Sequence, residues 1–288
     1  MSKQQLLEKY NIFPISYKKL KNVDILTTNK QKLVLKKGSN YNIYEYLRLK
    51  KFNNFPSYLT NNDDEFELTE YLNNSNVPDE QRIEDLIYLV SILHTKTTFY
   101  KNVDEDKIKK IYEDLRKKQD YLYNFYLTMQ DSIELEVYMS PSHYLLIRNI
   151  SNFYKCIIKS KEYIEKWYQQ IKDSKKMRYC MIHGNLDKSH LIENDSIYLI
   201  SWNKAKIGIP IYDLESIYRL NQENIDLIDL LDVYQTKYEL KDEEKYLLFS
   251  LVALPDKIEA KDNEYDNVRE VLRVVEYVNK VKNVLWKD

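Results

Sequence analysis

The stretch MIHGNLDKSHLIENDSIYLISWNKAKIGIPIYDLESIYRL, Met181–Leu220, decides how the rest of the chain is read. Two short β-like runs, RYCMIHG (178–184) and SIYLISW (196–202), enclose a polar loop that carries His183, Asn185, Asp187 and His190. Gly208 and Pro210 then punctuate the chain before a helical stripe over 213–220. Asp213 is the natural N-cap of that helix, and Glu215 in the first turn complements its dipole. His183 and Gly184 shape the loop, and Trp202 reads as a core residue.

Working outward, the segment before this hairpin is helical. PDEQRIEDLIYLVSILHTKT places Ile83, Leu86, Ile87, Val90 and Leu93 on one stripe, with Asp79 as candidate N-cap and His94 as a packed or capping histidine. Helical spacing continues over 104–139, Pro141 forces a break or restart, and 142–172 form another long helix. Beyond the hairpin the pattern predicts helices over 213–220, 223–238, 242–254 and about 265–285. At the other end, residues 11–37 are β-rich: KLVLKK is a short buried strand, preceded by a turn at TTNKQ. A helix follows over 40–52, then two strands in FPSYLTNNDDEFELTEYL around the turn Asn61–Asp64. The polar run NNSNVPD is the best linker. The expectation is a small β-rich lobe over 1–72, and a larger helical lobe over 73–288 that carries one hairpin insert. A cleft between two lobes is a natural place for a small-molecule ligand.

Composition removes several function classes. The 288 residues carry 44 Lys+Arg against 45 Asp+Glu, a formal net charge of −1, which argues against a nucleic-acid binder that works through a basic field. The N-terminal MSKQQLLEKYNIFP has no secretory pattern, and no apolar run is long enough to span a bilayer. The two cysteines, Cys156 and Cys180, have no metal or redox spacing, so buried reduced thiols and a cytoplasmic protein are expected. His183 and His190 lack a third partner for zinc. Only three glycines are present, Gly38, Gly184 and Gly208, all far apart. A dinucleotide fingerprint, a Walker A loop and a glycine-rich kinase lid are therefore excluded. The 27 tyrosines are read either as genome composition or as a surface for protein partners.

The segment over 181–220 resembles the catalytic segment of the aminoglycoside phosphotransferase / choline kinase superfamily. That segment reads HGDxxxxN, then a strand ending in Asp and a Trp-like residue, then Gly-x-Pro-x-x-Asp-Leu. Within the superfamily it is most similar to the CotS/YutH-type spore-coat kinase-like family. LVLKK, LTEYL and SILHTKT fit the same order more loosely. The resemblance implies an α+β, two-lobed protein kinase-like fold. It also implies ATP and magnesium as ligands where the site retains binding, Lys36 (or Lys37) as the phosphate-binding lysine, and Glu45 as its partner on the next helix.

Departures from that pattern fall on the chemistry. The proton-accepting Asp is replaced by Asn185, whose amide orients a hydroxyl but takes no proton at neutral pH. The two magnesium-ligand positions hold His190 and Ser201, a nitrogen donor and a neutral hydroxyl. Asp187 is the one substitute base in the loop. The expectation is a catalytically impaired kinase-like binding or scaffold protein, with the spore coat implied as a location. An active phosphotransferase on a choline, amino-sugar or sugar hydroxyl is the alternative, and an interaction module with a closed cleft is the third.

Overall fold

The computed structural model describes residues 2–20 and 23–286. In chain order the elements are α1 (Lys3–Lys9), β1 (Ser16–Lys19), β2 (Val23–Thr27), β3 (Lys32–Lys37), α2 (Tyr41–Leu49), β4 (Phe66–Glu70), α3 (Asp79–Thr97), β5 (Phe99–Asn102), α4 (Glu105–Glu134) and α5 (Pro141–Lys172). There follow β6 (Lys176–Ile182), β7 (Leu191–Glu193), β8 (Ile197–Leu199), β9 (Lys206–Gly208), α6 (Ile211–Asn221), α7 (Leu227–Gln235), α8 (Asp242–Val252) and α9 (Glu264–Leu285). A small antiparallel sheet thus precedes a larger, mainly helical region, an α+β chain. No helix among the described residues is long and apolar enough to cross a membrane.

Two compact units form. The first comprises Met1–Thr98, Cys180–Asp213 and Thr236–Tyr238; the second comprises Phe99–Tyr179, Leu214–Gln235 and Glu239–Asp288. The chain passes between them after Thr98, within β6, within α6, and on either side of Thr236–Tyr238.

In the first unit, β1-β2-β3-β4 pair in sequence order, all antiparallel. Side chains alternate across a pleated sheet, so KLVLKK splits its apolar residues between two faces. Leu33 and Leu35 join Leu26 and Leu68 on one face, and α1 covers them with Leu6 and Leu7. Val34 and Lys36 fall on the other face, opposite Thr69 and Glu67. The apolar run therefore forms a strand buried on one face only. α1 is an unforeseen helix, and its signal was local: Ser2 accepts from the Gln5 backbone while the Gln5 side chain accepts from the Ser2 backbone, a capping box.

Three local expectations change. Of the two strands expected around Asn61–Asp64, only β4 forms, and Tyr58 makes a single bridge to Thr69. Pro56 lacks a backbone donor, and the Leu68 N–H is taken by the Thr60 hydroxyl, so no ladder propagates. Asp79 is not the cap of α3 but its first residue, after Pro78; its carboxylate pairs with Lys188. The helix expected over 223–238 shortens to α7, because Asn224 and Ile225 turn back onto the Asn221 carbonyl.

The second unit is built on α5, which packs against α4, α8 and α9. Pro141 begins α5 at a position where no backbone donor is needed, and the Ser140 hydroxyl caps the helix. Trp167, Phe153 and Tyr126 are buried in this unit, and Gln119 donates to the Ser160 hydroxyl across it. Cys156 and Cys180 are both buried and form no disulfide.

Candidate functional site

The polar loop leaves the end of β6 at His183. Gly184 follows with φ +70°, and a Cβ there would lie 2.7 Å from the Lys204 carbonyl oxygen, so no other residue fits without backbone movement. The loop is braced by one carboxylate. Asp213 is not the N-cap of α6: it lies inside the first turn and reaches back to accept from His183 N at 2.7 Å and Gly184 N at 2.9 Å. His94 of α3 completes the arrangement, its Nε2 3.2 Å from the same carboxylate. All three side chains are buried. Burial by itself pushes the Asp213 carboxyl up, but the hydrogen bonds from His94 and the Gly184 N–H outweigh it and hold the carboxyl below its ordinary value.

His183 is pinned on its other side as well. Its Nε2 lies 2.9 Å from the Ile200 carbonyl oxygen, an acceptor only, so Nε2 carries the proton. Its ring stands edge-on to Trp202, 4.7 Å between centroids. Burial drives the imidazole down to about 4, so it is neutral at pH 7. Trp202 is fully buried and donates to the Leu199 carbonyl at 2.8 Å.

His190 and Asp187 are committed to the loop itself. His190 donates from Nδ1 to the Asn185 carbonyl at 2.7 Å, which leaves Nε2 as its free lone pair. The Asp187 carboxylate caps a short 3₁₀ turn (Lys188–His190), accepting from Ser189 N at 2.8 Å. The Ser189 bond holds the Asp187 carboxyl below its ordinary value, which makes it a weaker proton acceptor. Ile200 N donates to the His190 carbonyl at 3.0 Å, so Ser201 is carried alongside the loop. Ser201 sits at φ 68°, ψ 45°, a left-handed conformation in which Asp and Asn are enriched. The backbone there suits an aspartate, while the side chain is a hydroxyl.

The sheet face opposite α1 and the β7–β8 hairpin enclose a cleft of about 270 Å³. Val23, Ile25 and Val34 form one wall, Ile192 and Ile200 another, and the strand-to-linker segment Glu70–Leu72 runs along it. Lys36, Glu67 and Ser201 line the polar part. Lys36 does not pair with Glu45; its Nζ donates to Asn203 Oδ1 at 3.3 Å. Glu45 instead accepts from Arg48 at 3.0 Å and from the Tyr58 hydroxyl. The inward position of α2 is taken by Tyr44, whose ring stacks against both Phe55 and Tyr58. Its hydroxyl donates to Glu67 at 3.0 Å. Glu67 also accepts from Asn40 N at 3.0 Å and Asn40 Nδ2 at 2.7 Å. Burial and the neighbouring Glu67 carboxylate push the Tyr44 hydroxyl well above its usual range, so it is a fixed donor.

The structure thus gathers His183, Asn185, Asp187, His190 and Ser201 into one loop cluster, with Lys36 two residues from Ser201 through Asn203. The anchoring pair His94–Asp213 and the cleft carboxylate Glu67 emerge only in three dimensions. The donors present do not suit magnesium, which wants several oxygen ligands and negative charge. Asn185, His190 and Ser201 offer no carboxylate, and among the described residues no three His, Cys, Asp or Glu cluster as a metal-holding group.

No protein-family profile matches the chain, and no curated protein does. Solved structures do. An aminoglycoside phosphotransferase from Alicyclobacillus acidocaldarius subsp. acidocaldarius superposes with a TM-score of 0.73 at 13% identity, over 99% of this chain and 95% of its own. Spectinomycin phosphotransferase APH(9)-Ia, solved with ADP and spectinomycin, matches with a TM-score of 0.50 at 13% identity, over 98% and 99%. The choline kinase LicA from Streptococcus pneumoniae matches with a TM-score of 0.48 at 13% identity, over 99% and 97%. Identity this low speaks for fold alone: the chain has the α+β, kinase-like fold of an aminoglycoside phosphotransferase.

Proposed function

We propose that this protein is a pseudokinase: a ligand-binding or scaffold protein on a phosphotransferase frame that does not transfer phosphate. One observation carries the proposal. The loop is fully braced by Asp213, His94, Ile200 and Trp202. Yet Asn185, His190 and Ser201 stand where the phosphotransferase pattern holds the proton-accepting Asp and the two oxygen ligands of magnesium. Phosphoryl transfer rests on positioning and on neutralising developing charge, and loss of a general base alone costs about 10²–10⁴ in rate. Asp187 does not replace the base, since its carboxylate is used within the loop. The resemblance of 181–220 to the CotS/YutH-type proteins supports a scaffold role in the cytoplasm, at a forming spore coat.

Restoration tests this. The triple variant Asn185→Asp, His190→Asn, Ser201→Asp returns the three charged or oxygen donors to a frame whose Ser201 backbone already favours Asp. It should gain magnesium-dependent ATP binding that the parent protein lacks, read by calorimetry. A parent protein that already binds ATP in a strictly magnesium-dependent way contradicts the proposal. So does a folded triple variant that gains nothing, because the frame would then not be that of a phosphotransferase site.

A further inference from the structure

We infer that the cleft selects against phosphate: its ligand is an uncharged, nucleoside-sized heteroaromatic molecule bound without metal. The inference rests on the proposal that the cleft still holds a ligand, and it goes further by naming the ligand's charge.

The walls set the shape. Val23, Ile25 and Val34 of the sheet and Ile192 and Ile200 of the hairpin segment bound a space of about 270 Å³. Apolar walls contributed by different elements favour a flat ring between them.

The charges set the selectivity. Among the described lining residues the only cation is Lys36, against the carboxylates of Glu67 and Glu70. Lys36 is drawn to Asn203 rather than to either carboxylate. Glu67 is buried and cannot swing away, because Asn40 holds it through its backbone and side-chain nitrogens and Tyr44 through its hydroxyl. Lys36 and Glu67 are directly opposed across β3 and β4, so whatever approaches the lysine meets the fixed carboxylate. A triphosphate entering here would bring several negative charges beside two carboxylates and one lysine among the described lining residues. The usual relief, a divalent metal, finds no carboxylate at the positions of His190 and Ser201, and the Asp187 carboxylate is used within the loop. A neutral ring system with hydroxyl and amine groups suffers none of this repulsion and finds a carboxylate acceptor in Glu67 or Glu70.

The experiment is isothermal calorimetry on the full chain with adenosine, AMP and ATP, each with and without magnesium. Adenosine should bind most tightly, AMP less, and ATP least, with at least about a ten-fold gap between adenosine and ATP from charge repulsion. Magnesium should leave the adenosine affinity within about two-fold, since no metal takes part. Glu67→Gln keeps an oxygen for the two Asn40 donors, turns its amide N–H toward the Tyr44 hydroxyl as an acceptor, and removes the charge. It should narrow the ratio between adenosine and AMP, a readout that a merely structural Glu67 would not move. Val34→Trp fills the slot and should abolish binding of all three. Tighter binding of ATP than of adenosine, or a Glu67→Gln ratio equal to the parent's, overturns the inference and leaves the cleft as a ligand site. Binding that survives Val34→Trp places the ligand elsewhere and overturns it too. No binding by any of the three overturns it together with the proposal that the cleft is a ligand site.

Discussion

Asp213→Ala should lower the stability of the protein by roughly 3–5 kcal/mol, the usual loss when one partner of a buried charged hydrogen-bond group is removed. The carboxylate satisfies the backbone donors of His183 and Gly184 and the ring of His94 at once, all in the dry interior. Its removal leaves three buried donors without their acceptor, where each lost acceptor costs about 1–3 kcal/mol. For a chain of this size the melting temperature should fall by roughly 6–10 °C. Asp213→Asn retains one acceptor oxygen and should lose less. Thermal denaturation of the two variants checks both the size and the order. A Tm within a degree of the parent's for Asp213→Ala would show that the loop is held by something else.

The second large effect is a pH dependence centred on His183. Its imidazole titrates at about 4 in the fold because it is buried, against about 6.5 in an unfolded chain. The unfolded state therefore takes up a proton before the native state does. Stability from this group is fully present above pH 6.5 and is lost progressively as pH falls toward 4, by about 3 kcal/mol in all. Asp213, whose carboxyl is held below its ordinary value, acts in the same direction but lower, losing its contribution as pH falls below the usual carboxylate range. Glu193 acts oppositely: burial raises its carboxyl above the ordinary value, so it favours the fold as pH falls through that range. The effect of His183 is isolated by comparison with His183→Gln, whose amide can still donate to the Ile200 carbonyl. Urea unfolding at pH 7 and pH 4 should show the parent losing about 3 kcal/mol more than the variant between the two. Equal losses would mean that His183 is already protonated or exposed in the native protein.

Much of the architecture was legible in the sequence because it rests on local periodicity. The stripes of α3, α4 and α5 and the restart at Pro141 are short-range patterns. The two β-like runs around the loop do form strands, but the expected hairpin between them does not, because β6 pairs with β5 and β9 while β8 pairs with β7. The loop's commitments were only partly legible. His183 and Gly184 read as loop-shaping residues, and they are. Asp213 read as a helix cap because an acid in a first turn has that use locally. Its actual partners lie 30 and 119 residues away, which no local pattern encodes. The expected Lys36–Glu45 pair fails through helix phase. Successive residues on a helix are rotated by about 100°, so placing Tyr44 inward turns Glu45 toward Arg48 and Tyr58. Glu67 looked like one polar residue in an alternating strand. Only the pairing of β3 with β4 puts it beside Lys36, and only α2 supplies the donors that bury it.

The central claim is that the frame persists without the transfer chemistry, and the most direct measurement is phosphorus NMR of the purified parent protein with ATP, magnesium and a panel of choline, amino-sugar and sugar acceptors. The account predicts no phosphorylated acceptor and no ADP above the rate of spontaneous hydrolysis. Repeated, magnesium-dependent turnover of any acceptor would contradict it.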